Sequence, residues 1–161
     1  MNMNYLSPVE FQLTIKRLPN VEFYVQRAAI PSLSTNPITK QTPLNRFYEQ
    51  GDKLEYGEFN ISFTIDEKMN NYLEVYNWLL GYSAPQTTNQ FKNLNESEYG
   101  LKSDISLLIV NSSKNPNIEV NFYNAFPVNL SELPLDTTAT DVVYPEATVS
   151  IVYDYFDINV K

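Results

Sequence analysis

The chain of 161 residues contains neither cysteine nor histidine. Without cysteine it can form no disulfide and offers no thiol nucleophile. Without histidine it lacks the side chain that most often acts as a general base or binds a transition metal. Only 4 glycines are present, and none belongs to a phosphate-binding loop with its Gly-Lys-Ser or Gly-Lys-Thr ending. We therefore expect no enzyme, no catalytic residue, no metal and no cofactor.

Long apolar runs are missing as well. No segment approaches the roughly 18 to 20 consecutive apolar residues that a membrane-spanning helix needs. The first residues, MNMNYLSPVEF, lack the basic and then apolar order of a secretion signal. The length suits a single domain over residues 1–161, and we expect no contact with a membrane.

Positive charge is scarce, and the net charge is −8. Between positions 103 and 161 there are eight acidic residues and only two lysines. An acidic surface repels the phosphate backbone of nucleic acids. The sequence therefore argues against specific binding of DNA or RNA, and it would suit a protein past which DNA moves without sticking.

The clearest local patterns lie in residues 59–80. Phe59, Ile61, Phe63 and Ile65 alternate with polar residues, which predicts a strand with one buried face. The apolar spacing then becomes that of an amphipathic helix, at Met69, Tyr72, Leu73, Tyr76, Leu79 and Leu80. With Asp66 as the N-cap and Gly81 as the C-cap, we predict a helix over about residues 66–80.

The rest of the chain favours strands. Alternation in residues 9–16 and 21–26 predicts a hairpin over residues 9–30, with a turn at Leu18, Pro19 and Asn20. Further strands are predicted at 105–110, 118–122 and 148–155, and a long polar loop at 82–102. The predicted fold is mainly β (α+β): an antiparallel β-sandwich or barrel with one flanking helix.

Residues 32–56 allow two interpretations. Pro37 and Pro43 exclude a central strand but tolerate an edge or an extended arm. The segment could be an ordinary surface loop, or a hairpin that protrudes over about residues 38–56. The apolar register shifts at Gly57 and Glu58, and a β-bulge is the simplest cause.

Two further functional classes remain open at this stage. The 12 tyrosines and Trp78 could form a carbohydrate-binding surface, although core packing is the favoured explanation for any one of them. Acidic pairs such as Glu10 with Glu22, or Asp154 with Asp157, could form the dyad of a small hydrolase, but most surface carboxylates are simply solvated.

Four stretches, taken together and in order, carry a family resemblance. They are FQLTIKRLPNVEFYVQRAAIP, GDKLEYGEFNISFTIDE, FPVNLSELPLD and ATVSIVYDYF. The chain in this way resembles the tail-tube proteins of contractile-tailed bacteriophages, and the tube-initiating baseplate proteins that share their fold. The resemblance covers nearly the whole chain.

The resemblance implies a virion protein whose hexameric rings stack into the inner tube of the tail, or a tube-initiating or end ring of the same fold. DNA would pass through the lumen without specific binding, with the sheath outside and baseplate and tail-end proteins at the ends. Assembly would take place in the host cytoplasm. Residues 38–56 would be a hairpin that reaches a neighbouring subunit. The contact residues implied are Ile38, Lys40, Leu44, Arg46, Phe47, Tyr48, Gly51, Asp52, Lys53 and Tyr56.

Overall fold

The computed structural model describes residues 10–84, 87–89, 92, 96, 100–111, 115–138 and 144–160. The strands are β1 (Phe11–Ile15), β2 (Val25–Ala28), β3 (Leu33–Thr35), β4 (Ile38–Gln41), β5 (Arg46–Glu49), β6 (Leu54–Tyr56), β7 (Phe59–Thr64), β8 (Ser103–Val110), β9 (Pro116–Leu130), β10 (Glu146–Val152) and β11 (Tyr155–Val160). The helices are α1 (Pro19–Tyr24) and α2 (Asn70–Ser83). Every strand pair in these ranges is antiparallel, as predicted.

The main part of the protein, which we call the body, has two layers. One contains β1, β8 and β11, the other contains β2, β7 and β10, and β9 belongs to both. Its first part pairs with β8 and β11, and its last part pairs with β10, which gives the order β1-β8-β9-β10-β7-β2 with β11 beside β9. Between the two parts Asn124 has a φ of +57°, a left-handed conformation that asparagine tolerates better than most residues. Asp104 accepts a hydrogen bond from the Asn124 backbone N–H at 3.1 Å, and Asp154 accepts one from the Asn124 side chain at 2.7 Å. These bonds fix the point where the strand changes layer.

The core lies between the two layers. Phe59 of β7 stacks on Phe122 of β9 with ring centroids 4.4 Å apart, so side chains from opposite layers meet directly. The strand predicted at residues 59–65 is confirmed, since Phe59, Ile61 and Phe63 are fully buried and alternate with polar neighbours. The fold class, mainly β with a flanking helix, is confirmed.

The hairpin predicted from residues 9–30 is wrong. β1 pairs with β8, β2 pairs with β7, and α1 lies between them. Pro19 occupies the start of α1, where its missing N–H costs nothing. Leu18 and Val21 are both buried, and their spacing of three residues places them on one face of a helical turn. Over so short a stretch the apolar pattern fits a helix as well as a strand, and the burial of both side chains on one face favours the helix.

The predicted helix exists but begins and ends later than predicted. α2 begins after Met69, whose φ is +56°, and Gly81 lies buried inside the helix rather than at its C-cap. Asp66 is not the N-cap, although its carboxylate accepts bonds from the Lys68 backbone and the Asn70 side chain. The fully buried residues are Asn71, Val75, Trp78 and Gly81, whereas Leu73 and Tyr76 are exposed.

The polar side-chain atoms of this buried face have hydrogen-bond partners. The Asn71 side-chain amide donates to the Thr64 carbonyl at 2.8 Å, and its oxygen accepts from the Tyr72 backbone at 2.9 Å. The Trp78 indole donates to the Leu101 carbonyl at 3.0 Å, and the Arg17 guanidinium lies 5.0 Å above its ring. Burial lowers the pKa of Arg17. The apolar pattern alone missed this face because a polar residue begins it.

Three smaller predictions need correction. The final strand predicted at 148–155 is two strands, β10 and β11, which pair with different parts of β9. The register shift at Gly57 and Glu58 is no β-bulge but the point where the chain leaves the small sheet of β3 and β6 for the main sheet. In the predicted loop at 82–102, Tyr82 and Ser83 belong to α2, and most of the remainder lies outside the described residues.

Candidate assembly interface

Residues 33–56 form one long β-hairpin, which we call the arm. Near the body β3 pairs with β6, and farther out β4 pairs with β5. Between the two ladders, residues 36–37 lie opposite residues 50–53, so the two sides differ in length. The hairpin interpretation of this segment is confirmed, and the arm begins earlier than the predicted residue 38.

The outer end of the arm is a tight turn from Thr42 to Asn45. The Thr42 backbone N–H donates to the Asn45 carbonyl at 2.9 Å, and the Asn45 backbone N–H donates to the Thr42 hydroxyl at 3.1 Å. Pro43 and Leu44 occupy the middle of the turn, and Leu44 is 92% exposed. The closed turn therefore holds an apolar side chain at the farthest point of the arm.

Every residue from 32 to 50 is exposed, including large apolar ones. The exposed apolar side chains of the arm are Leu33, Ile38, Leu44, Phe47, Tyr48, Leu54 and Tyr56. Large apolar side chains exposed together on one projecting element favour an interaction site, and an isolated two-stranded hairpin is only marginally stable in water. The arm is therefore the best candidate for a contact surface in the described part of the chain.

Aromatic side chains anchor the inner end of the arm to the body. The Tyr56 ring meets Tyr153 edge to face at 5.9 Å and Phe156 at 5.7 Å. The Tyr153 hydroxyl donates to the Gly57 carbonyl at 2.8 Å, and the Gly57 N–H donates to the Ser32 carbonyl at 2.9 Å. Burial, with a further contribution from Tyr56, raises the pKa of Tyr153 to about 12. The direction in which the arm leaves the body is thus fixed at its root.

Polar contacts shape the rest of the arm. Lys40 and Glu49 form an ion pair at 2.5 Å across the outer ladder, and the Asn36 side chain donates to Glu55 at 3.0 Å. Gly51 passes so close to the Asn36 backbone that a Cβ atom would lie 2.0 Å from the Asn36 carbonyl oxygen. Glycine is therefore required where the two ladders meet.

The structure places all the predicted contact residues on the arm. Ile38 and Lys40 lie on β4, Leu44 in the turn, and the others on β5, β6 or the segment between them: Arg46, Phe47, Tyr48, Gly51, Asp52, Lys53 and Tyr56. All are exposed except Gly51, which is half-buried. That they contact another subunit stays a prediction.

Sequence reasoning missed two apolar residues of the arm. Leu33 and Leu54 are exposed on the same face of the inner ladder, since Leu33 pairs with Tyr56 and Leu54 with Thr35. The alternation of Leu54 with Tyr56 was visible in the sequence. Only the pairing of β3 with β6 shows that Leu33 belongs with them.

The other candidate sites find no geometric support among the described residues. Within the described ranges no three acidic side chains lie close enough together to hold a metal ion, and no helix is long and apolar enough to cross a membrane. Asp154 is tied to the layer change of β9, because it binds Asn124 and lies 3.5 Å from Lys102. Of the aromatic side chains, Phe122, Trp78 and Tyr153 belong to the core, whereas Tyr76 and Tyr155 are exposed.

Comparison with known proteins agrees with this architecture. The structure superposes on a chain of the anti-feeding prophage baseplate with a TM-score of 0.64, 14% identity and coverage of 99% of this chain and 98% of that one. It superposes on a chain of the tube-terminating cap of the same particle with a TM-score of 0.63, 16% identity and coverage of 100% and 95%. At identities this low, the superpositions show a shared fold and nothing more specific.

Sequence comparison is more specific. The tail tube terminator protein of Enterobacteria phage T4 is 28% identical over 138 residues, which cover 83% of this chain and 76% of the T4 protein. The family model for phage tail tube proteins matches residues 4–159. A match over nearly the whole length, together with the shared fold, establishes that the chain belongs to the phage tail tube protein family.

Proposed function

We propose that this protein is a structural subunit that forms hexameric rings on the axis of a contractile tail. The observation that carries the proposal is the arm, a hairpin that exposes apolar side chains along its length and is anchored to the body at its root. Such a surface is stable in water when another chain covers it. Family membership supplies the context, because tail tube proteins are structural parts of phage tails.

A ring requires a contact between different surfaces of neighbouring subunits. If the arm of each copy binds another surface on the next copy, the contact is head-to-tail, and it closes into a ring when the rotation allows. We propose that DNA passes through the lumen without specific binding. The net charge of −8 supports this, since an acidic protein repels the DNA backbone. The sheath would lie outside, and assembly would take place in the host cytoplasm.

The ring can repeat along the tube or complete one of its ends. Similarity to the T4 tail tube terminator, and to a tube-terminating cap at the level of fold, supports the terminating ring. The partners differ between these roles. A terminator would bind the last ring of the tube, whereas a repeating or initiating ring would bind baseplate and neighbouring tail-end proteins. We favour the terminator because the relative that matches in sequence carries that role.

Negative-stain electron microscopy of the purified protein, combined with its solution mass across a concentration series, tests the proposal. Isolated six-fold rings are expected for a terminator, and hollow rods for a repeating subunit. A variant without residues 38–49 loses β4, the turn and β5 but keeps the pairing of β3 with β6, and it should fail to form rings.

Circular dichroism and thermal unfolding of the shortened variant provide the control, since the core contains no residue of the deleted segment. Rings that form equally well without residues 38–49 would show that the arm is not the assembly surface. A protein that stays monomeric at every concentration and binds glycans would contradict the ring proposal and support the carbohydrate-binding alternative.

A further inference from the structure

A groove of about 1100 Å³ opens at one end of the layer that contains β2, β7 and β10. It lies where β7 passes into the loop before α2 and where β10 begins. Its apolar walls include Ile65, Met69, Leu133, Leu135 and Tyr144. Leu135 is 83% exposed and Tyr144 is 72% exposed, so part of this wall is open to water.

The groove is acidic as well as apolar. Asp66, Glu67 and Glu146 contribute to its lining, and no lysine or arginine does so among the described residues. Asp66 is engaged in the hydrogen bonds that precede α2, whereas Glu67 and Glu146 are exposed. The groove thus favours an occupant with an apolar tip and a positive charge nearby.

The outer end of the arm has these properties. Leu44 is the most exposed large apolar residue in the described chain, and Arg46 follows it at the start of β5. Lys40 is paired with Glu49, and no ion pair is present for Arg46 within the described ranges. At the outer end of the arm, an exposed apolar side chain and a guanidinium with no ion pair in the described part of the chain therefore lie within three residues of each other.

The arm and the groove lie at opposite ends of the same strand pair. β7 begins at Phe59, beside the arm root, and ends at Thr64, which lines the groove. β2 runs the other way, and Gln26, near its first residue, lines the groove. Six residues of strand span about 20 Å, so the arm leaves the body at the end remote from its own groove.

We propose that the groove receives the arm tip of a second copy of this chain, with Leu44 in the apolar part and Arg46 beside Glu67 and Glu146. The polarity of the fold favours a second copy, because a tip at one end and its receptor at the other give a head-to-tail contact that repeats around a ring. This inference rests on the proposed ring function and names the surface that receives the arm.

The absence of cysteine makes a clean cross-linking experiment possible. Leu44→Cys protein is mixed with Tyr144→Cys protein and treated with a short bis-maleimide. The matched control replaces Tyr144→Cys by Val160→Cys, because Val160 is similarly exposed (74%, against 72% for Tyr144) but lies outside the groove. We expect a cross-linked dimer with Tyr144→Cys and little with Val160→Cys.

Charge reversal in the same assay tests the polar part of the contact. Arg46→Glu in the Leu44→Cys chain should lower the cross-linking yield about fivefold or more, since it faces like charges in the groove. Glu146→Lys in the Tyr144→Cys chain should restore much of that yield. Equal yields with the Val160→Cys control, or no recovery by the second reversal, would overturn the inference.

Electron microscopy of the same samples separates the two proposals. Rings without the Leu44–Tyr144 cross-link would leave the ring function standing and reject the groove as the receptor. The cross-link without rings would support the arm-groove contact and reject the hexameric ring. Neither product at any concentration would reject both.

Discussion

The body and the arm are built from the same antiparallel pairing and differ in what covers the strands. In the body, Phe122 on β9 is fully buried and touches aromatic rings from β7 and β11. On the arm, Phe47 on β5 is 54% exposed although its strand is paired along its length. Backbone pairing alone therefore does not bury a side chain. The arm lacks a second layer, and the proposed assembly would supply one from another subunit.

The contrast can be tested most strongly with two matched truncations. Phe122→Ala removes a ring from the centre of the core and should lower the free energy of unfolding by about 3–5 kcal/mol. Phe47→Ala should change it by less than about 0.5 kcal/mol, because the ring is exposed in the monomer. Urea unfolding followed by tryptophan fluorescence measures both values.

Phe47→Ala should affect ring formation although it leaves the stability of the monomer unchanged. Phe47→Ala is expected to weaken assembly in sedimentation experiments while the monomer keeps its stability. If Phe47→Ala destabilised the monomer as strongly as Phe122→Ala, the arm would be part of the core and the contrast would fail.

Two neighbouring asparagines at the start of α2 provide a second matched pair. Asn71 is fully buried, and its side chain satisfies the Thr64 carbonyl and the Tyr72 N–H. Asn71→Ala leaves these groups without partners and should cost about 2–3 kcal/mol of stability. Asn70→Ala, at an exposed position, should cost less than about 0.5 kcal/mol. Comparable losses in thermal unfolding would contradict the role assigned to Asn71.

Asn71 also shows where prediction from the sequence stops. The helix could be predicted because its apolar residues recur with helical spacing, but this spacing was centred on Leu73 and Tyr76, which are exposed. The buried face begins with a polar residue whose partners, Thr64 and Tyr72, become visible only when β7 and α2 are placed together. A rule based on hydrophobicity cannot detect a buried amide that is fully hydrogen-bonded.

The same limit applies to the strands and to the arm. The alternation in β7 predicted its buried face correctly, because burial there follows the period of the strand. It could not show that β1 pairs with β8, almost a hundred residues away, instead of with its neighbour along the chain. The prolines allowed either a surface loop or a protruding hairpin at 38–56, and the family resemblance favoured the hairpin. Its exposure, however, depends on the missing second layer, about which local sequence carries no information.

The junction between body and arm can be tested through pH. The pKa of Tyr153 rises from 10.0 to about 12 on folding, chiefly by burial, so the neutral phenol is favoured in the folded state. This stabilisation is complete below pH 10 and is lost as the pH rises through about 12, because the unfolded chain loses its proton first. Tyr153→Phe cannot ionise and should lose stability less steeply over that interval.

Tyr153→Phe also removes the hydrogen bond to the Gly57 carbonyl. At neutral pH we expect a loss of about 1 kcal/mol, measured by urea unfolding. Tyr82 and Tyr123 also have raised pKa values, so only the difference between wild type and variant reports on Tyr153. Identical alkaline unfolding of the two proteins would contradict the assignment.

A smaller global effect is expected inside the arm. Gly51→Ala would force a Cβ atom against the Asn36 carbonyl, so the two ladders must move apart. The core makes no use of this contact, and global unfolding should change by less than about 1 kcal/mol. Hydrogen exchange of the β4 and β5 amides should become faster, whereas β7 amides keep their protection. Asp52→Ala, at an exposed neighbouring position, is the control and should leave both unchanged.

The smallest effect is expected for the ion pair across the outer ladder. Lys40 and Glu49 are 2.5 Å apart, but both side chains are more than half exposed, so water and salt screen their attraction. A double-mutant cycle with Lys40→Ala and Glu49→Ala should give a coupling energy of about 0.2–1 kcal/mol that falls with added salt. Because the pair lies on the arm, the same cycle measured on assembled rings should give a larger coupling if a second subunit excludes water there. Equal coupling in monomer and ring would show that this part of the arm stays solvated after assembly, and the contact would then be confined to the tip and the apolar side chains.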